Sequence, residues 1–137
     1  MISYDDFKKV EIRAGKILSA EKVPDTDKLL KLSVDFAEKT ETVDAAGNKT
    51  VTPKVRQIIS GIALYFPDPA MLVGKTCMFV TNMEPRIIRG LESQGMLFAV
   101  STPPASTSSH VPPGDAPVGG FSLLEPNSSI PPGTSAS

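Results

Sequence analysis

Apolar and polar residues alternate most cleanly from Leu29 to Phe36, where Leu30, Leu32, Val34 and Phe36 take every second position and Lys31, Ser33 and Asp35 lie between them. A period of two puts the first set on the core face of a strand and the second on its solvent face. A longer strand is predicted over Val10 to Val23, with Ile12 and Ala14 on one side, Glu11 and Arg13 on the other, and a bulge or bend at Gly15. Pro24 to Asp27 makes the turn between them. Residues 39–54 show Thr/Val alternation on both sides of Asp44-Ala45-Ala46-Gly47-Asn48, which predicts a protruding hairpin that Pro53 confines to a sheet edge. Val55 to Ile62 returns as a strand. The apolar runs Cys77 to Val80, Met96 to Val100 and Phe121 to Leu124 are too short for helices and predict three more.

Two short helices fit between these strands. Ser3 can cap a turn or two from Tyr4 to Lys9, with Asp5 and Asp6 at its positive end. Asp68, Pro69 and Gly74 supply cap, first-turn proline and terminal glycine for another. Residues 101–120 are rich in Pro, Ser and Gly and predict an extended, flexible connection, while 126–137 is turn chemistry. The sum is an all-β dominated chain, a five-stranded OB-type barrel with one or two short helices and extra terminal segments, forming a single domain over 1–137. A β-sandwich is the alternative. The glycine in the long first strand and the helix between the third and fourth strands favour the barrel.

Composition narrows the chemistry. The 137 residues carry a net charge of −1, which excludes a binder held by bulk positive charge. All 14 basic residues and 13 of the 15 acidic ones fall within 1–100, so a basic footprint has to be local. One cysteine, Cys77, inside an apolar run, and one histidine, His110, in a Ser/Pro-rich stretch, leave no Cys/His zinc set and no His-assisted triad. No EF-hand spacing, cofactor fingerprint or nucleophile-base pair is present, so neither metal, cofactor nor enzymatic activity is expected. No signal-peptide pattern and no apolar run near ~18 residues is found, so the expected location is cytoplasmic, without membrane contact. The sequons at Asn48 and Asn127 then carry no glycan.

The stretch Thr81 to Phe98 concentrates the candidate chemistry. Between two apolar runs lie Asn82, Pro85, Arg86, Arg89, Gly90, Ser93 and Gly95, a binding loop suited to phosphate or carboxylate. Arg86 and Arg89 supply guanidinium forks, Lys28 and Lys31 point charges, Asn82 and Ser93 neutral donors. Met96 offers either an apolar surface to a base or ribose, or filler for the core. Arg56 reads equally as binding or as surface solvation. Arg13 reads as a structural partner of Glu11 or of another acid, and Arg89 as a phosphate ligand or as a partner of Glu92. The six Phe and two Tyr sit mostly where a core wants them, which disfavours a stacking platform for single-stranded nucleic acid.

Taken in order, Phe7 with Val10 to Ile17, Asp27 to Leu32, Arg56 to Ile62, Asn82, Pro85-Arg86, Arg89-Gly90, Ser93, Gly95 to Leu97, Leu123 to Pro126 and Pro132-Gly133 resemble the tRNA-binding domain family of OB folds. That family includes stand-alone structure-specific tRNA-binding proteins and the C-terminal domain or beta subunit of methionyl-tRNA synthetases. The resemblance covers about residues 7–100 and 121–133. It implies non-catalytic binding of folded tRNA by backbone and shape, free or beside an aminoacyl-tRNA synthetase, as a homodimer joined through segments near both termini. RNA contacts are implied at Lys28, Lys31, Arg56, Asn82, Arg86, Arg89, Ser93 and Met96. A branch of the family implies the alternative, a peptide-binding, export-chaperone-like protein. The chain departs from the family pattern with Ile87-Ile88 where a Lys-Met pair is common, and in longer segments at 39–54 and 101–120.

Overall fold

A computed structural model describes residues 1–102 and 120–136. The connection expected at 101–120 therefore lies largely outside the described residues. Among the described residues nine strands run in chain order: β1 Ile12–Lys22, β2 Leu30–Val43, β3 Lys49–Ser60, β4 Thr76–Val80, β5 Arg86–Ile88, β6 Leu91–Ser93, β7 Met96–Leu97, β8 Ala99–Ser101 and β9 Phe121–Leu123. The main antiparallel sheet has the order β3-β2-β1-β4-β7 and curls into a half-barrel. This is the OB-type architecture expected from the number and order of the elements.

Curling brings β3 round to the 92–95 segment, where side chains replace a regular ladder. Gln94 donates its backbone N–H to the carbonyl of Gln57 (2.8 Å) and accepts the Gln57 N–H on its own side-chain oxygen (3.0 Å). The Ser93 hydroxyl accepts from the Ile59 N–H (3.0 Å) and donates to the Gly95 carbonyl (3.1 Å). The alternating set of β2 lies inside as expected, with Leu30, Leu32, Val34 and Phe36 against Ile17, Ile58, Leu72, Cys77 and Phe79. Phe36 meets Phe79 edge to face at 5.2 Å.

On β1 the expected bulge at Gly15 is corrected: the register slips between Ile17 and Ser19. Gly15 pairs with Cys77, and a Cβ there would stand 2.5 Å from the Phe36 ring and 2.6 Å from Val34. The glycine leaves room for Phe36 instead of bending the strand. Arg13, in register with the buried Phe79, lies on the same side of β1 as Gly15 and holds its guanidinium 5.4 Å from the Phe36 ring.

The two helices stand where expected but are shorter. Ser3 caps one α-turn, Tyr4–Phe7, accepting from the Asp6 N–H at 3.1 Å. Asp68 caps a 3-10 turn, Pro69–Leu72, at the predicted place between β3 and β4. The hairpin of 39–54 is present, closed by Asp44, whose carboxylate accepts from the N–H groups of Ala46 and Asn48 (both 2.9 Å). The terminal segment does more than turn. Ala14 donates to the Thr134 carbonyl (2.8 Å), Gly133 to Ala14 (2.7 Å) and Ala136 to Ile12 (2.8 Å), so residues 133–136 extend the ladder on β1.

Thr102 and Gly120, the two ends of the undescribed stretch, are tied together. The Thr102 N–H donates to the Gly120 carbonyl (2.8 Å) and the Gly120 N–H to the Thr102 hydroxyl (2.6 Å). Phe121 is then clamped by Tyr65, stacked at 3.9 Å, and by Phe66 at 5.8 Å. Replacing 103–119 with a short Gly/Ser linker is accordingly expected to keep cooperative melting and shift stability by less than about 1 kcal/mol, since loop closure depends only weakly on length. Loss of cooperativity in a urea titration would contradict this.

Candidate nucleic-acid interface

In an OB barrel the ligand crosses the outer face of the second and third strands between two flanking loops. Here one loop is the turn 23–29 between β1 and β2, and the other is the 81–95 segment between β4 and β7. The first is held shut by hydrogen bonds from the Thr26 hydroxyl to the Val23 carbonyl (2.8 Å) and from the Val23 N–H to Leu29 (3.2 Å). The second, expected as a loop, is a two-stranded hairpin. Arg86 stands opposite Ser93, Ile87 opposite Glu92 and Ile88 opposite Leu91, leaving Arg89-Gly90 as the connecting pair. Both have positive φ, 53° and 79°, the conformation of the two-residue turn that matches strand twist.

This places Arg89 at the hairpin tip facing the 24–29 turn. The two walls enclose a groove of about 430 Å³, with Lys28, Thr26, Asp25 and Asp27 on one side and Ile88 and Arg89 on the other. Among the described residues Arg89 forms no ion pair, so the alternative pairing with Glu92 is not made. A second group forms around Ile59, which lies opposite Lys31 in the β2–β3 register. Ile59 lines a small crevice with Met83, Glu84, Arg86, Ser93 and Met96. Met96 is 43% exposed and so is not core filler. Lys31 is half-buried and paired with Glu21 at 2.9 Å.

Three of the sequence candidates are taken up by hydrogen bonds within the fold. The Arg56 side chain is 16% exposed and donates to both carboxylate oxygens of Glu38 (2.7 and 2.9 Å), the Thr81 carbonyl (2.6 Å) and the Gln94 carbonyl (3.1 Å). Asn82 accepts from the Glu11 N–H (2.8 Å) and donates to the Lys9 carbonyl (2.5 Å), pinning the amino-terminal segment. Ser93, 4% exposed, is spent on closing the barrel. Arg13 has the structural role expected of it, pairing with Glu11 at 2.9 Å and Glu38 at 3.4 Å. Sequence reasoning missed Met83 and Ile87, exposed apolar residues beside these cations; their placement depends on the hairpin, which the sequence reading did not foresee.

The Arg56 guanidinium, then burial working against it, then Arg13, set the titration of Glu38, whose carboxyl is held below the usual carboxylate range. A lowered folded pKa stabilises above the unfolded value, ~4.3, and that stabilisation is lost as pH falls through the lower folded value. Glu38 is thus ionised at neutral pH. Burial first of all pushes the Cys77 thiol up to about 12, which removes it as a nucleophile. Among the described residues no group of three or more His, Cys, Asp or Glu is placed to hold a metal ion, and no helix is long and apolar enough to cross a membrane.

A small barrel that carries cations and apolar side chains on one outer face, between two flanking loops, has the layout by which folds of the OB class bind nucleic acid. Comparison with known proteins specifies it: residues 12–120 match the family described as "Putative tRNA binding domain", and the chain belongs to that family. It is 41% identical over 134 residues to a methionine-tRNA ligase of Methanoregula boonei, and 40% identical over 118 residues to one of Chloroherpeton thalassium. Those alignments cover 98% and 86% of this chain but only 15% of each ligase. Among solved structures, the MetRS related protein from Pyrococcus horikoshii superposes with a TM-score of 0.71 at 30% identity, covering 100% of this chain and 98% of that one. The CsaA chaperone protein from Picrophilus torridus gives 0.67 at 25% identity, with 100% of both chains covered.

Proposed function

We propose that this chain is a non-catalytic module that grips folded tRNA through its phosphate backbone and shape, free or as an accessory to an aminoacyl-tRNA synthetase. The observation that carries this reading is the Arg89-Gly90 turn. Its first position has a positive φ, which Asn, Asp or Gly adopts at lower cost than Arg. A residue that is locally unfavourable, exposed at a tip and unpaired is explained by what it reaches for. Lys28 faces it across the groove, and Lys31, Arg86 and Met96 extend the footprint over Ile59. Asp25 and Asp27 on the same rim repel a phosphate that enters out of register, so the arrangement favours a shaped polyanion over any polyanion.

The test is a binding titration over a range of salt with folded tRNA, unfolded tRNA and duplex RNA of matched length. Preference for folded tRNA is expected; equal affinity for all three would overturn the reading. The second reading, a peptide-binding chaperone-like protein, is supported by the exposed apolar residues Met1, Ile2, Tyr4 and Phe7 and by the likeness to the CsaA chaperone. It predicts instead that an apolar peptide competes with tRNA. The same exposed residues support a homodimer, so light scattering at tens of micromolar is expected to give twice the 14.5 kDa chain mass. A monomer under those conditions contradicts it.

A further inference from the structure

The 81–95 segment leaves the barrel at Thr81 and rejoins it at Gln94, and a single atom spans the two points. Arg56 Nη1 donates to the Thr81 carbonyl (2.6 Å) and to the Gln94 carbonyl (3.1 Å). The rest of the guanidinium is fixed by Glu38, at 2.7 Å from Nε and 2.9 Å from Nη2. Glu38 begins the protruding part of the β2–β3 hairpin, immediately after the register slip between Asp35 and Glu38, where Ala37 has φ 59°. The guanidinium also lies 5.4 Å from the Phe36 ring, as does that of Arg13. The fork thus has four of its five donors committed and its plane seated on the core, while two of its acceptors sit at the two ends of the segment that presents Arg86 and Arg89.

We infer that Arg56 is a positioning residue for RNA binding: it clasps the base of the β5–β6 hairpin and, through Glu38, makes the base of the β2–β3 hairpin part of the same brace. Resting on the function proposed above, this assigns Arg56 a role without phosphate contact. Lysine cannot fill it, because an ammonium on a flexible stem does not hold two carbonyls and a carboxylate in one plane. The clasp acts by limiting how far the cations at the hairpin wander from Lys28. Loss of that preorganisation weakens binding while leaving the number of phosphates neutralised unchanged.

The experiment uses Arg56→Gln, Arg56→Lys and Glu38→Gln, each measured by tRNA titration across salt and by amide hydrogen exchange. Both Arg56 variants are expected to weaken tRNA binding by a similar factor of about ten, with the salt slope of the unaltered protein. Exchange over residues 82–93 is expected to rise about tenfold or more relative to the β1–β4 amides. Glu38→Gln, which leaves the guanidinium in place but loosens its seat, carries the same two readouts if an Arg56 variant proves too unstable to titrate. A slope lower by about one unit in Arg56→Gln, with affinity rescued by Arg56→Lys, would show a direct phosphate contact and overturn the inference. So would unchanged exchange over 82–93. Should the unaltered protein show no preference for tRNA, the functional reading fails, and the exchange measurement still decides whether Arg56 clasps the hairpin.

Discussion

Arg89→Asn is expected to weaken binding of folded tRNA about ten-fold to more than a hundred-fold while leaving the melting temperature unchanged or slightly raised. Asparagine is the better probe than alanine because the position has φ 53°, which Asn adopts readily and Ala does not. The turn therefore survives and only the charge is lost. Removing one charge-assisted contact to a phosphate costs about 1.5–3 kcal/mol, which gives the expected range. The salt slope should fall by about one unit, since one fewer counterion is released. Glu92, across the hairpin from Ile87, provides the control. Glu92→Gln removes a nearby negative charge and should leave affinity equal or higher. Full affinity and an unaltered slope in Arg89→Asn would place the interface elsewhere on the barrel.

Phe36→Ala is expected to cost about 3–5 kcal/mol of folding stability. The ring is 1% exposed, packs edge to face on Phe79 and closes over Gly15. It is also the surface on which two guanidinium groups rest, each 5.4 Å from its centre. Its removal therefore leaves a cavity and takes the floor from under the Arg13, Arg56 and Glu38 cluster. Phe36→Leu fills much of the space but offers no aromatic face. A urea titration followed by circular dichroism should rank the unaltered chain above Phe36→Leu and Phe36→Ala lowest. A loss of less than about 1 kcal/mol in Phe36→Ala would mean that the ring is not the keystone of this end of the barrel.

The alternation on β2 was legible because one of its faces meets the core and the other meets water. Ser3 and Asp68 were legible because a cap is a local interaction, written within three residues. The β5–β6 hairpin was not, because its turn is Arg-Gly and not the Asn-Gly that strand twist favours, so the stretch reads as a loop. Arg56 was ambiguous for a different reason. An arginine between Val55 and Gln57 looks the same in sequence whether it points to solvent or lies on a buried ring, and its four acceptors come from three distant segments. Asn82 and Ser93 likewise bond to residues far along the chain. The glycine at 15 announced an irregularity in β1, but only the position of Phe36 shows that it is needed for closeness and that the slip falls at Leu18.

The ladder that residues 133–136 add to β1 makes the order of folding events matter. Ile12 and Ala14 bond to a segment far along the sequence, and a contact of such long range is expected to form late. Until then the start of β1 is an open strand edge beside the apolar residues of the amino-terminal turn. An open edge next to apolar surface is a template for pairing with another chain. Versions of this protein shortened before Gly133 should therefore be prone to aggregate, even though no residue of the candidate interface has been removed.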